Sequence, residues 1–131
     1  MPFKIYVVED HPVMREAYDA MLRAEPDLDP CGMAASAEEA MAALGGPDGL
    51  ACDLVLTDLR LPGQSGTDLV RHLRASRPSL PAVVITAHED QAFAREARSA
   101  GAAAFLRKRD LIETLVPTIH DVLRATRHGA A

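Results

Sequence analysis

The sequence predicts an α/β domain with a parallel sheet covered by helices on both faces. Short β-branched runs alternate with helix-length amphipathic runs five times in about 125 residues. The segment Asp53-Leu54-Val55-Leu56-Thr57-Asp58 is apolar on both parities until its last two residues, as in a central strand buried on both sides. Acidic and other polar residues gather where the apolar runs end. At 131 residues and 48% hydrophobic content the chain can bury one core, hence one domain. Aromatic residues make up only 4% and Trp is absent, so Val, Leu, Ile, Ala and Met must fill that core.

Residues 3–8 (Phe-Lys-Ile-Tyr-Val-Val) are too short for a helix and stop at Glu9-Asp10-His11-Pro12, which makes them the first strand. Pro12 suits the first position of a helix over 12–24, with Met14, Ala17, Met21 and Leu22 as its apolar stripe and Pro26 approaching its end. A short second strand is expected around Cys31-Gly32-Met33-Ala34. Ser36-Ala37-Glu38-Glu39 matches a capping box and predicts a helix over 37–44. The third strand spans 53–58, and Leu61 to Gly66 form a loop before a helix over 67–76 with Leu69, Val70 and Leu73 inward.

The fourth strand is 82–86, framed by Pro78 and Pro81 on its N-terminal side. An Ala-rich helix over 90–100 closes at Gly101, a C′ glycine, and the fifth strand is 103–106. The pattern Asp110-Leu111-Ile112-Glu113 caps a last helix reaching about residue 127, with Leu111, Ile112, Leu115, Ile119, Val122 and Leu123 on one broad face. Pro117 lies inside it and predicts a kink, because it has no N–H for the carbonyl of Glu113. The chain shows no repeat, low-complexity stretch or internal linker.

A net charge of −5 and a pI near 5.4 argue against direct nucleic-acid binding, which needs a basic patch. Arg107-Lys108-Arg109 is too short a run to make one. No apolar run approaches the ~18 residues of a membrane span, and the N-terminus lacks a signal-peptide core, so a cytoplasmic protein without membrane contact is expected. Cys31 and Cys52 show neither metal-ligand clustering nor C-x-x-C spacing and read as reduced thiols near strand ends.

Parallel strands joined by helices all end on one edge of the sheet, where open α/β sheets place their sites. Glu9 and Asp10 follow the first strand, Asp58 closes the third, Thr86 closes the fourth and Lys108 follows the fifth. Carboxylates about 6 Å apart repel by roughly 3 kcal/mol per pair at an effective dielectric near 20, so a cation must offset them. Mg²⁺ suits a site with few carboxylates because it retains waters and shares phosphate oxygens. Asp58 could then attack a phosphoryl group, with Lys108 and the Thr86 hydroxyl holding phosphoryl oxygens and neighbouring backbone N–H groups assisting.

Four segments together resemble the receiver domain of bacterial two-component response regulators. They are Val8-Glu9-Asp10-His11-Pro12, Asp58-Leu59-Arg60-Leu61-Pro62-Gly63, Thr86-Ala87, and the run from Gly101 through Phe105 to Lys108. The resemblance covers residues 3–126. It implies a (βα)₅ flavodoxin-like fold of strand order 2-1-3-4-5, a receiver over 1–127, and a C-terminal tail or linker start over 128–131. It implies Mg²⁺- or Mn²⁺-dependent phosphotransfer to Asp58 from a histidine kinase or histidine phosphotransfer protein, not turnover of an external substrate. In that reading the metal ligands are Glu9, Asp10, Asp58 and the Arg60 backbone carbonyl. Lys108 and Thr86 assist, and Thr86 and Phe105 form the switch.

Phosphorylation would repack the surface of the fourth and fifth helices, where an output partner or a homodimer would form. Arg60 and His88, each two residues past a site residue, are candidates to tune phosphoryl lifetime. Glu9 stands where an Asp is also common. Arg109 stands where many receivers have proline, and a trans Lys108–Arg109 peptide is expected. His11-Pro12 with that missing proline resembles receivers of the nitrate-response helix-turn-helix class.

His11 itself reads as a turn or N-cap residue, Asp53 as the start of a strand, and the other histidines form no metal motif. A haloacid-dehalogenase-type phosphatase would want a second Asp two residues after Asp58, where Arg60 stands. A dinucleotide site would want glycines after the first strand. The remaining rival is a non-phosphorylated interaction module with the same fold, which would be expected to lose one of the acidic, Thr or Lys positions.

Overall fold

The computed structural model describes residues 2–45, 48–87 and 91–129. Five strands, β1 (Phe3–Val8), β2 (Leu28–Ala34), β3 (Leu54–Asp58), β4 (Ala82–Thr86) and β5 (Ala104–Arg107), pair in parallel in the order β2-β1-β3-β4-β5. The connecting helices are α1 (Pro12–Arg23), α2 (Ala37–Leu44), α3 (Gly66–Ser76), α4 (Gln91–Ala100) and α5 (Leu111–Gly129). This is the flavodoxin-like doubly wound fold. The chain moves outward from β1 to β2 and then returns past it to β3, so the crevice at the strand ends opens between β1 and β3.

The period-2 alternation of the strands divides the core into two layers. Ile5, Val7, Leu54, Leu56, Val83, Ile85 and Leu106 face α1 and α5, meeting Tyr18, Leu22, Leu115 and Ile119. Tyr6, Val8, Val55, Val84 and Phe105 face the other way, toward side chains such as Ala37, Ala40, Leu69, Leu73 and Ala97. Tyr18, outside the expected stripe of α1, is its buried anchor together with Leu22. Ile112, expected inside, is 87% exposed, because the inward row of α5 runs through Leu111, Leu115, Ile119 and Val122.

The second strand is longer than expected, beginning at Leu28 and containing Pro30. Its edge position tolerates a proline, and the register steps from Ile5 opposite Pro30 to Tyr6 opposite Gly32, leaving Cys31 as the extra residue of a bulge. Cys31 therefore lies within the strand rather than at its end. Both cysteines are free, and burial raises both thiols, Cys52 to about 11. Asp53 sits just before β3, where its carboxylate accepts the Lys4 N–H at 2.7 Å and its own N–H bonds the Lys4 carbonyl.

The helix starts show which caps form. At α2 the Ser36 hydroxyl accepts the Glu39 N–H at 3.1 Å, but the Glu39 carboxylate accepts from Ala35 N instead of from Ser36, so the expected box is only half closed. The reciprocal box belongs to α3, between Ser65 and Asp68, and α3 starts one residue earlier than expected. A Cβ at Gly66 would collide with the Asp58 carbonyl, so glycine there lets α3 begin directly against the end of β3.

A 3₁₀ turn, Lys108–Asp110, joins β5 to α5, so Asp110 ends that turn. No peptide bond among the described residues is cis, in agreement with the trans expectation. The last helix continues through Pro117 as one element, where Pro117 and Glu113 are both exposed and water can serve the freed carbonyl. Asp90, at the expected start of the fourth helix, lies outside the described residues.

Candidate functional site

Val8 pairs with Thr57, so the next residue on each strand, Glu9 and Asp58, emerges side by side at the crevice. Backbone bonds hold both ends. Glu9 N donates to the Ala34 carbonyl at 3.0 Å, and Leu59 N to the Ile85 carbonyl at 2.8 Å. The Arg15 guanidinium, one turn into α1, donates to the Glu9 carbonyl at 2.8 Å. Glu9 is fully buried and Asp58 nearly so.

Lys108, the first residue after β5, reaches across the end of β4. Its Nζ stands 3.2 Å from Asp58 Oδ2 and 3.5 Å from Glu9 Oε1. One ammonium thus bridges two carboxylates that leave adjacent strands. Burial draws the Lys108 pKa down, but Asp58 and then Glu9 more than offset it, and the net displacement is upward. Burial raises the Glu9 carboxyl, and the charge of Asp58 and the neighbouring Asp10 carboxyl add to that, against the opposing pull of Lys108.

Two buried carboxylate oxygens have no hydrogen-bond partner and only a longer ion-pair neighbour, Glu9 Oε1 with Lys108 Nζ at 3.5 Å and Asp10 Oδ1 with His11 Nδ1 at 3.3 Å. Such an atom costs roughly 1–3 kcal/mol unless something else compensates it, and a hard cation with oxygen ligands is the chemical complement of this donor set. Asp10, Asp58, Arg60, Pro62, Ala87 and Lys108 line an open cleft of about 370 Å³ at this position, roomy enough for an ion and a phosphoryl group.

The structure thus brings Glu9, Asp10, Asp58 and Lys108 together and sets Arg60 on the cleft wall. Thr86 ends β4, half-buried, in register with Arg107 and directly before Ala87 of that wall. Phe105 lies in the other layer, opposite Val84, half-buried with the Arg98 guanidinium 5.1 Å from its ring centroid. His88 lies outside the described residues.

Sequence reasoning missed two neighbours of the acids. His11 is the N-cap of α1, as expected, but its side chain makes no cap bond. Its Nδ1 lies 3.3 Å from Asp10 Oδ1 and 3.5 Å from Glu9 Oε2. The available signal was simple adjacency to the acidic pair. Arg15 left no signal, since it binds a main-chain carbonyl.

The model of the response regulator receiver domain matches residues 5–120. Response regulator GacA of Pseudomonas aeruginosa is 31% identical over 125 residues, covering 95% of this chain and 57% of that protein. The DNA-binding transcriptional activator DevR/DosR of Mycobacterium tuberculosis is 33% identical over 105 residues, covering 80% of this chain and 47% of that one. The chain thus spans about half the length of such relatives. Among solved structures, a LuxR-family two-component response regulator from Aurantimonas sp. SI85-9A1 superposes with a TM-score of 0.88 at 31% identity, covering 95% of this chain and 87% of that one. The signal receiver domain of NarL from Mycobacterium tuberculosis gives 0.81 at 26%, covering 94% and 97%. With this sheet order, this acidic crevice and these LuxR- and NarL-type relatives, the chain belongs to the response regulator receiver domain family.

Proposed function

We propose that Asp58 accepts a phosphoryl group from the phosphohistidine of a histidine kinase or histidine phosphotransfer protein. The observation that carries this is the Lys108 ammonium, 3.2 Å from Asp58 Oδ2 and bridged to Glu9. It holds the nucleophile in place while leaving the carboxylate in an open cleft. In the transfer, an Asp58 oxygen forms the new O–P bond as the N–P bond of the donor breaks. The imidazole leaves with the electron pair and takes up a proton. Lys108 then neutralises a phosphoryl oxygen, and the Thr86 hydroxyl donates to another.

Glu9, Asp10, Asp58 and the Arg60 backbone carbonyl would hold Mg²⁺ or Mn²⁺, which supplies charge neutralisation of the phosphoryl oxygens. The Glu9 and Asp10 oxygens that lack a hydrogen-bond partner support that assignment. Receiver domains are signalling domains, and this one switches rather than turning over an external substrate. The receiver would take residues 1–127, with a tail or linker beginning in the region 128–131, where α5 runs on to Gly129. The greater length of the relatives favours an output domain beyond it, through which transcription would be controlled.

On phosphorylation Thr86 moves toward the phosphoryl group and Phe105 turns inward, repacking the α4–α5 surface for a partner or a second copy. Arg60 on the cleft wall, and His88, tune access of water to the acyl phosphate. Among the described residues no helix is long and apolar enough to cross a membrane, and the acidic charge disfavours nucleic-acid contact by this domain, consistent with cytoplasmic signalling.

Incubation with acetyl phosphate and Mg²⁺, followed by intact-mass measurement, tests the reading. One phosphoryl group should be gained by the wild type and none by Asp58→Ala. An undiminished gain in the variant rejects Asp58 as acceptor, and no gain in the wild type leaves the non-phosphorylated interaction module as the function.

A further inference from the structure

We propose that His11 turns the Glu9–Asp10 pair into a binding site for a borderline divalent transition ion, with Zn²⁺ as the type case. That ion would compete with the hard ion of the phosphotransfer site. The proposal rests on the reading that Glu9 and Asp10 face a divalent cation, and it adds a nitrogen ligand to them. Three observations carry it. One ligand atom each from Glu9, Asp10 and His11 falls within a cluster 4.8 Å across. Glu9 is wholly buried, with Oε1 lacking a hydrogen-bond partner, and Asp10 Oδ1 lacks one as well. Lys108 meets Glu9 on Oε1, whereas Oε2 is turned to His11, and Arg15 engages only the Glu9 carbonyl.

The ligand spacing that a site needs depends on the ion. Bonds of about 2.1 Å put neighbouring ligands about 3.4 Å apart around a tetrahedral ion and about 3.0 Å apart around an octahedral one. The His11 nitrogen stands 3.3 Å from Asp10 Oδ1 and 3.5 Å from Glu9 Oε2, which fits the tetrahedral edge. Imidazole nitrogen also favours zinc-like ions over magnesium, which prefers oxygen and water. His11 is mostly exposed and makes no cap bond, so its ring can close on an ion without breaking the helix start. An ion held there would occupy Asp10 and Glu9 and displace the partner that phosphotransfer needs.

Zn²⁺ and Mg²⁺ are titrated separately by calorimetry, without phosphodonor, into the wild-type chain and His11→Ala. Thermal melts check that both fold. Co²⁺ substitution then reads the ligand set through its visible bands. The wild type should bind one Zn²⁺ at least about tenfold more tightly than the variant, since even an outer-shell loss costs 10- to 100-fold. Mg²⁺ affinities should match, and the Co²⁺ bands should change with His11. Equal Zn²⁺ affinities, or Co²⁺ bands indifferent to His11, overturn the proposal. If Mg²⁺ binds neither protein while His11-dependent Zn²⁺ binding persists, the proposal stands and the hard-ion assignment falls. If neither ion binds, both fall.

Discussion

The two faces of the sheet hold their helices unequally. On the α1–α5 face, Tyr18, Leu22, Leu115 and Ile119 are all essentially inaccessible, so both helices are anchored by large side chains. On the opposite face α3 is anchored by Leu69, Val70 and Leu73 and α2 by Ala37, Ala40 and Leu44, whereas among the described side chains α4 contributes only Ala97 as a buried residue. Polar contacts lie at the rim of α4 as well. Arg71 meets Glu96 at 3.5 Å, the Arg74 stem lies over Gly101, and Arg98 stacks on Phe105. Exposed ion pairs of this kind hold weakly. On the described side chains α4 has the thinnest apolar contact, and the switch proposed for Thr86 and Phe105 would draw its freedom from that helix.

The largest test of this contrast is Leu115→Ala, which should lose about 2–5 kcal/mol in urea denaturation, against about 1 kcal/mol for Ala97→Gly on α4. Equal losses would erase the difference between α5 and α4. At the edge shared by both layers, Glu9→Gln should raise stability at neutral pH. The folded carboxyl is displaced above its ordinary 4.5, so its contribution is present below that value and is lost as pH rises through the folded value. The gap between variant and wild type in pH-dependent melts should thus open with rising pH and close below about 4.5. A gap that widens toward acid would contradict the crowding of Glu9 with Asp58.

Smaller effects bear on α3 and α4. Removing the reciprocal cap with Ser65→Ala should cost about 1 kcal/mol by chemical denaturation. Arg98→Ala should cost about 0.5–1 kcal/mol while shifting the Phe105 ring resonances in NMR, since the guanidinium covers that ring. Unchanged resonances would mean that Arg98 does not hold Phe105. Arg71→Ala should stay within about 0.5 kcal/mol, and a larger loss would show α4 to be more firmly fixed than its contacts suggest.

Much of this was legible in one dimension. The strand pattern, the inward faces of α3 and most of α5, and the gathering of Glu9, Asp10, Asp58, Thr86 and Lys108 at strand ends follow from period and connectivity. The start of β2 was hidden because Pro30 reads as a strand breaker, and only its edge position and the bulge at Cys31 make it tolerable. The box at Ser65 and Asp68 was not read from the sequence, since Asp68 stands where the pattern has Glu or Gln, yet it is the one that closes, because a cap depends on how the preceding loop arrives and not on residue types alone.

The sequence by itself determined which groups come to the crevice, since a parallel sheet delivers every strand end to one edge. Only the tertiary structure decided their partnerships. Lys108 bridges Asp58 and Glu9, His11 turns to the second Glu9 oxygen, and Arg15 fastens the Glu9 carbonyl. Those choices turn on ångström-scale distances and on which carboxylate oxygen faces which cation, and residue order along the chain does not encode them.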